Sequence, residues 1–176
     1  MARNVEVKAR VRDFGKVRQR AAELSGGLPE IIEQEDVFFQ TRQGRLKLRR
    51  LAQNVGELIF YNRPDVSGPK TSTYSISHTD DPAQLRTVLA DALGETVHVK
   101  KVRELYLVGP ARIHLDVVEG LGEFLELEVI LGAGESEQFG ETIALDLMKK
   151  LGIDESELVE GAYADLLSKT AAPVAP

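Results

Sequence analysis

Charged side chains recur two residues apart along this chain, and they come in groups. Glu6 and Lys8, then Arg45, Lys47 and Arg49, Lys101 and Arg103, Arg112, His114 and Asp116, and Glu126 and Glu128 are each separated by one apolar residue. Tyr61 and Arg63 share the same spacing. Side chains two apart on a strand share a face, so each group marks one charged side of a strand. Arg42, Arg45, Lys47, Arg49 and Arg50 crowd one stretch, and Glu119, Glu123, Glu126 and Glu128 another. Guanidinium forks and ammonium groups neutralise anionic oxygens, whereas gathered carboxylates suit a hard divalent cation. Facing outward, these would be ordinary solvated strand faces. Facing one another, they would line a wet pocket for a polyanion and its metals, since burying so many charges without a ligand is prohibitive.

The elements that must position them follow from periodicity. Residues 3–12 alternate polar and apolar as a strand, and Asp13 caps a helix whose inner face is Phe14, Val17, Ala21 and Leu24, ended by Gly26-Gly27. Strands are predicted over 31–42 and 45–52, joined through Gln43-Gly44, then from Leu58 to Arg63 and from Ser72 to Ser77. Asp81-Pro82 opens a second helix with Leu85, Val88, Leu89, Ala92 and Leu93 at helical spacing, closed by Gly94. Strands over 96–108, 111–119 and 123–131 are broken by Gly109-Pro110 and Gly120-Leu121-Gly122. A helix from Ser136 to Gly152 carries Phe139, Ile143, Leu147 and Leu151, residues 154–168 are predicted helical again, and 169–176 form an Ala/Pro-rich frayed tail. The helices have apolar faces that need partners. If the strands' apolar faces supply those partners from outside, the charged faces turn inward. The economical fold is a single α+β domain over residues 1–168, an eight-stranded antiparallel β-barrel with helices packed outside.

Composition narrows the function. The chain has 176 residues, 43% hydrophobic and 28% charged, with a net charge of −6, and no cysteine. An acidic total argues against nucleic acid as partner. The absence of cysteine removes disulfides, thiolate metal sites and cysteine nucleophiles. There is no apolar run long enough for a membrane span and no signal-like N-terminus, so a soluble, cytoplasmic protein is expected, with a homodimer left open. Walker loops, serine elbows and dinucleotide fingerprints are missing. His78, His98 and His114 lack metal-ligand spacing, and His114, on a charged strand face, is expected to have a structural or hydrogen-bonding role. Tyr61 could point at a substrate or pack the barrel; Tyr163 is expected to pack, and Arg50, of opposite parity, to be solvated.

In this order the residues resemble the CYTH domain, or triphosphate tunnel metalloenzyme, family. Asn4-Val-Glu6-Val-Lys8 stands for its opening Glu-x-Glu-x-Lys signature. It is followed by Gly44-Arg-Leu-Lys47-Leu-Arg49, Tyr61-Asn-Arg63, Lys101-Val-Arg103, Ile113-His-Leu-Asp116 and Phe124-Leu-Glu126-Leu-Glu128. The ending Gly161-Ala-Tyr163-Ala-Asp-Leu-Leu167 is similar to the branch of class IV adenylate cyclases. The resemblance covers about residues 3–168. It implies a barrel enclosing a tunnel, with Lys8, Lys47, Arg49, Arg63, Lys101 and Arg103 as a phosphate clamp. It also implies Glu6, Glu126 and Glu128, with Asp116, as ligands of Mg2+ or Mn2+. Asn4 replaces the first glutamate, keeping a carbonyl oxygen but no charge, which reduces the metal complement or shifts its load to Asp116 and Glu128.

The resemblance leaves three activities. The first is metal-dependent hydrolysis of inorganic tripolyphosphate or an organic triphosphate. The second is cyclisation of ATP to cyclic AMP and pyrophosphate, and the third is polyphosphate or nucleotide binding without turnover. Lys101→Ala and Arg103→Ala are expected to remove activity while leaving stability unchanged or slightly raised, because like charges would repel in the empty clamp.

Overall fold

Alternation gives every strand two unlike faces, and closing the sheet decides which of them meets water. The computed structural model describes residues 1–171. Its strands are β1 (Ala2–Arg10), β2 (Glu30–Phe39), β3 (Arg45–Ala52), β4 (Val55–Asn62), β5 (Lys70–Thr79), β6 (Glu95–Val108), β7 (Ala111–Val118) and β8 (Gly122–Leu131). They pair antiparallel in the order β1-β5-β4-β3-β2-β6-β7-β8, and β8 returns to β1 to close the barrel. The helices are α1 (Phe14–Ser25), α2 (Pro82–Leu93), α3 (Glu137–Leu151) and α4 (Tyr163–Ala171).

The main apolar core lies outside the barrel wall. Val5, Val7 and Ala9 of β1, Ile113 and Leu115 of β7, and Leu125, Leu127 and Val129 of β8 are all buried. They pack against Phe14, Val17 and Ala21 of α1 and Ala144, Leu147, Met148 and Leu151 of α3. Full burial of such a side chain is worth about 1.5–3 kcal/mol, so these contacts hold the strand parity. Asp13, Asp81 and Ser136 cap α1, α2 and α3 through their side-chain oxygens. Gly140 lets α3 lie close on β1, since a Cβ there would come within 2.6 Å of Val5 Cγ2. A smaller core of Val37, Phe39 and Leu48 sits beneath Leu85, Leu89 and Ala90 of α2.

The interior is correspondingly polar. Asn4, Glu6, Lys8, Asp36, Arg63, Lys70, Lys101, Arg103, His114 and Asp116 are all buried.

Two expectations for the C-terminal region need correction. The helix predicted over 154–168 is split: a capped 3-10 turn, Glu155–Glu157, precedes an extended strap before α4. Leu158 bridges Ala9 and the Val159 N–H donates to the Lys8 carbonyl at 2.9 Å, so β1 takes up the backbone groups a helix would have used. Gly161, at φ 80°, then makes the turn into α4, a conformation glycine adopts without strain. Residues 169–171 continue α4 where a frayed tail was expected; the rest of that tail, 172–176, lies outside the described residues. The first hairpin is also shorter than predicted, with β2 ending at Phe39.

Candidate functional site

The barrel encloses a cavity of ≈ 250 Å³. β1 contributes Asn4, Glu6 and Lys8, β3 Lys47 and Arg49, β6 Lys101 and Arg103, and β8 Glu126 and Glu128. Arg63, just past β4, completes the set. Nine of the ten residues that the resemblance assigns to the clamp and the metal therefore face one space. Asp116 is the exception: it is 0% exposed and lies behind the lining.

Asp116 holds the clamp from behind. Arg103 donates to it through Nε to Oδ1 and Nη2 to Oδ2, both at 2.7 Å, while Lys101 Nζ lies 3.4 Å from Oδ2. The Tyr163 hydroxyl donates to the same Oδ2 at 2.9 Å. Burial alone would raise the Asp116 carboxyl, but Arg103 and Lys101 outweigh it and keep it far below the usual carboxylate range. On the cavity side, Arg103 also reaches Glu126 Oε2 at 2.8 Å, and Lys8 reaches Glu126 Oε1 at 3.0 Å. Burial opposes ionisation of Glu126 as well, and Lys8 and Arg103 overcome it, holding its carboxyl well below normal.

Asp36 of β2 does for the opposite wall what Asp116 does for this one. Lys47 Nζ donates to its Oδ2 at 2.8 Å, and Arg49 adds a fork at 2.8 and 3.0 Å. Despite full burial, Arg49 and Lys47 lower the Asp36 carboxyl well below normal. Sequence reasoning missed this residue because Gln34, Asp36 and Phe38 share the inner face of β2 without forming a charged run.

The cations are tightly confined. Burial first, then Arg103, pushes Lys101 down to about 7. Lys70, also missed, donates to the Val66 carbonyl at 3.0 Å, and burial with Arg63 and Lys8 nearby pushes it down to about 8. Arg63 forms an ion pair with Glu6. Cations crowded in a buried space favour an anionic ligand.

Tyr163 does more than pack. Its ring lies 3.7 Å from Lys8 Nζ and 5.0 Å from Lys101 Nζ, so the C-terminal helix places an aromatic face against both ammonium groups. Burial, then the charge of Asp116, raises its phenol well above the ordinary value, leaving a neutral donor. Tyr61 also lines the cavity, and Arg50 is exposed with Glu35 as its partner.

Carboxylates also gather on this part of the wall. Glu6 and Glu128 are directly opposite each other in the β1–β8 ladder, an arrangement that costs stability unless a cation lies near. A ring nitrogen of His114 and carboxylate oxygens of Glu126 and Glu128 all lie within 4.8 Å of one another. Asn4 Oδ1 is buried and accepts no hydrogen bond among the described residues.

A family model, the CYTH domain, matches the chain over residues 2–163. The chain belongs to the CYTH family. An adenylate cyclase of Aeromonas hydrophila is 24% identical over 178 residues, covering 94% of this chain and 89% of that protein. A protein of Methanocaldococcus jannaschii, provisionally named an adenylate cyclase, is 25% identical over 170 residues, covering 92% and 97%. Among solved structures, the PH1012 protein of Pyrococcus horikoshii superposes with a TM-score of 0.81 at 25% identity, covering 93% of this chain and 98% of that one. No helix of the described residues is long and apolar enough to cross a membrane.

Proposed function

We propose that this CYTH protein is a divalent-metal-dependent phosphohydrolase that holds a triphosphate, inorganic or organic, in its barrel tunnel. One observation carries the reading: six cations, Lys8, Lys47, Arg49, Arg63, Lys101 and Arg103, converge with Glu6, Glu126 and Glu128 on one enclosed cavity. A chain of three phosphoryl groups offers those cations several anionic oxygens in a row, and forks from arginine fit such oxygens two at a time. Its volume of ≈ 250 Å³ lies below the roughly 300–1,000 Å³ of sites that enclose drug-sized ligands. That favours a bare phosphate chain inside, with any organic group at the mouth.

In this reading Glu6, Glu126 and Glu128 would hold Mg2+ or Mn2+, which when bound neutralises phosphate charge and lowers the pKa of water. Asp116, behind the lining, and Asp36, buried within it, fix the direction of Arg103, Arg49, Lys47 and Lys101 and serve as positioning residues. Lys101, pushed down to about 7, can take up a proton at Nζ when the anion arrives. Tyr163 excludes water from one side of Lys8. The reaction consumes one water: its oxygen bonds to the terminal phosphorus, the bridging P–O bond breaks, a diphosphate leaves with the electron pair, and the proton lost by the water passes to solvent. Residues 1–168 would act as one functional unit, because Tyr163 comes from its last helix.

The relatives named as adenylate cyclases support a second reading, in which the ribose 3′-hydroxyl of ATP attacks the α-phosphorus and pyrophosphate leaves. The two are separated by incubation with tripolyphosphate or ATP, with Mg2+ or Mn2+ in turn, and chromatography of the products. Orthophosphate without cyclic AMP is expected; cyclic AMP with stoichiometric pyrophosphate would overturn hydrolysis in favour of cyclisation.

A further inference from the structure

One buried side chain in the tunnel wall has no task in this account. His114 is 3% exposed and stands directly opposite Glu126 in the β7–β8 ladder. Its Nδ1 is fully enclosed and has no hydrogen-bond partner among the described residues. Buried imidazoles ordinarily satisfy their nitrogens with a carbonyl, a carboxylate or a metal. Here a ring nitrogen lies within 4.8 Å of carboxylate oxygens from both Glu126 and Glu128.

The three donors are free enough to converge. The Glu128 carboxylate has only Arg112 as an ionic partner, at 3.9 Å, so its side chain can rotate at little cost. Glu126 already accepts from Lys8 and Arg103. An ionised carboxylate offers about four acceptor positions, however, so these two donors do not exhaust it. The donor set of one imidazole and two carboxylates also differs from the all-oxygen shell that Mg2+ demands. Imidazole shifts preference from Mg2+ toward first-row transition ions, with affinity rising from Mn2+ to Co2+. Asn4, uncharged and buried, adds no carboxylate that would tip the balance back toward Mg2+.

We infer that His114 is a nitrogen ligand of the cation site formed with Glu126 and Glu128, and that this site selects Mn2+ or Co2+ over Mg2+. The inference rests on the reading of the tunnel as a metal site. A histidine that merely filled space would tolerate phenylalanine without effect on metal choice.

The test uses the full chain without triphosphate. MnCl2, CoCl2 and MgCl2 are titrated calorimetrically, and pulsed EPR of the Mn2+ form reports whether nitrogen is bound. Wild type should bind Mn2+ and Co2+ more tightly than Mg2+ and show directly bound nitrogen. His114→Phe should abolish the nitrogen signal and weaken Mn2+ and Co2+ on the order of 10–100-fold, with Mg2+ nearly unchanged. If that variant does not fold, His114→Gln and the wild-type spectrum carry the test. Bound Mn2+ without nitrogen, in a protein whose Glu126→Gln variant loses the ion, would overturn the role of His114 and leave the carboxylate site standing. Wild type that binds none of the three ions, or binding that persists in both Glu126→Gln and Glu128→Gln, would overturn the metal-site reading and this inference with it.

Discussion

Removing Arg103 should destabilise the protein, the reverse of what like-charge crowding suggests from sequence. Its guanidinium makes two 2.7 Å hydrogen bonds to a carboxylate that is 0% exposed. Arg103→Ala leaves Asp116 charged and buried, with Lys101 at 3.4 Å and the Tyr163 hydroxyl at 2.9 Å as remaining partners. Deleting one member of a buried pair costs about 3–5 kcal/mol, and the persistence of Lys101 places this case near the lower end. For a chain of this size each kcal/mol moves Tm by about 2–4 °C, so about 3 kcal/mol corresponds to about 6–12 °C. The pair is buried on both sides, so the shift should be little changed by salt. The double variant Arg103→Met/Asp116→Leu, which removes both charges and keeps bulk, should recover most of the loss. Thermal unfolding followed by circular dichroism measures all three. A Tm for Arg103→Ala within about 1 °C of wild type, or a double variant no more stable than the single, would refute the assignment of Asp116 as the anchor of the clamp.

The same geometry makes three further predictions. Lys101, pushed down to about 7 in the fold against 10.5 ordinarily, binds fewer protons there than in the unfolded chain between those values. Its contribution to stability therefore rises with pH across that window, and tripolyphosphate affinity falls as pH rises through about 7, with proton uptake on binding seen by calorimetry in two buffers; pH-independent affinity between 6.5 and 9 would contradict it. Asp36, Asp116 and Glu126 are all held below their ordinary values, so the stability they contribute is present above about pH 4 and lost as pH falls below it. Acid unfolding of Asp36→Asn should be correspondingly less steep; equal steepness would argue against that carboxylate. Leu147→Ala, in the core between α3 and the barrel wall, should cost about 2–5 kcal/mol in urea unfolding, and a loss under about 1 kcal/mol would mean that α3 does not hold the wall.

The parity of the strands was legible because each one carries a clean alternation: Val5, Val7 and Ala9 against Glu6 and Lys8, and Leu125 and Leu127 against Glu126 and Glu128. Three amphipathic helices then had only the strands' apolar faces to cover, which turned the charges inward. Pairing across the interior was not legible. Asp36 sits next to Glu35 in an acidic stretch of β2 without clean alternation, Lys70 opens β5 with no charged residue two positions on, and their partners lie on other elements. Tyr163 could be read as core because aromatic packing and a cation–π contact have the same sequence signature. The strap at 158–162 escaped for a different reason: its backbone pairs with the end of β1, a tertiary choice that overrides helical spacing. Such pairing also reversed the expected effect of Arg103→Ala, because repulsion among cations was counted without the buried carboxylate behind them.

The most direct measurement of the central claim is a crystal structure of the protein with tripolyphosphate. The anion is expected inside the barrel, its phosphoryl oxygens contacted by Lys8, Lys47, Arg49, Arg63, Lys101 and Arg103, and one end close to Glu126 and Glu128. Tripolyphosphate bound only on the outer surface, or a barrel interior that stays empty of it at saturating concentration, would contradict the account.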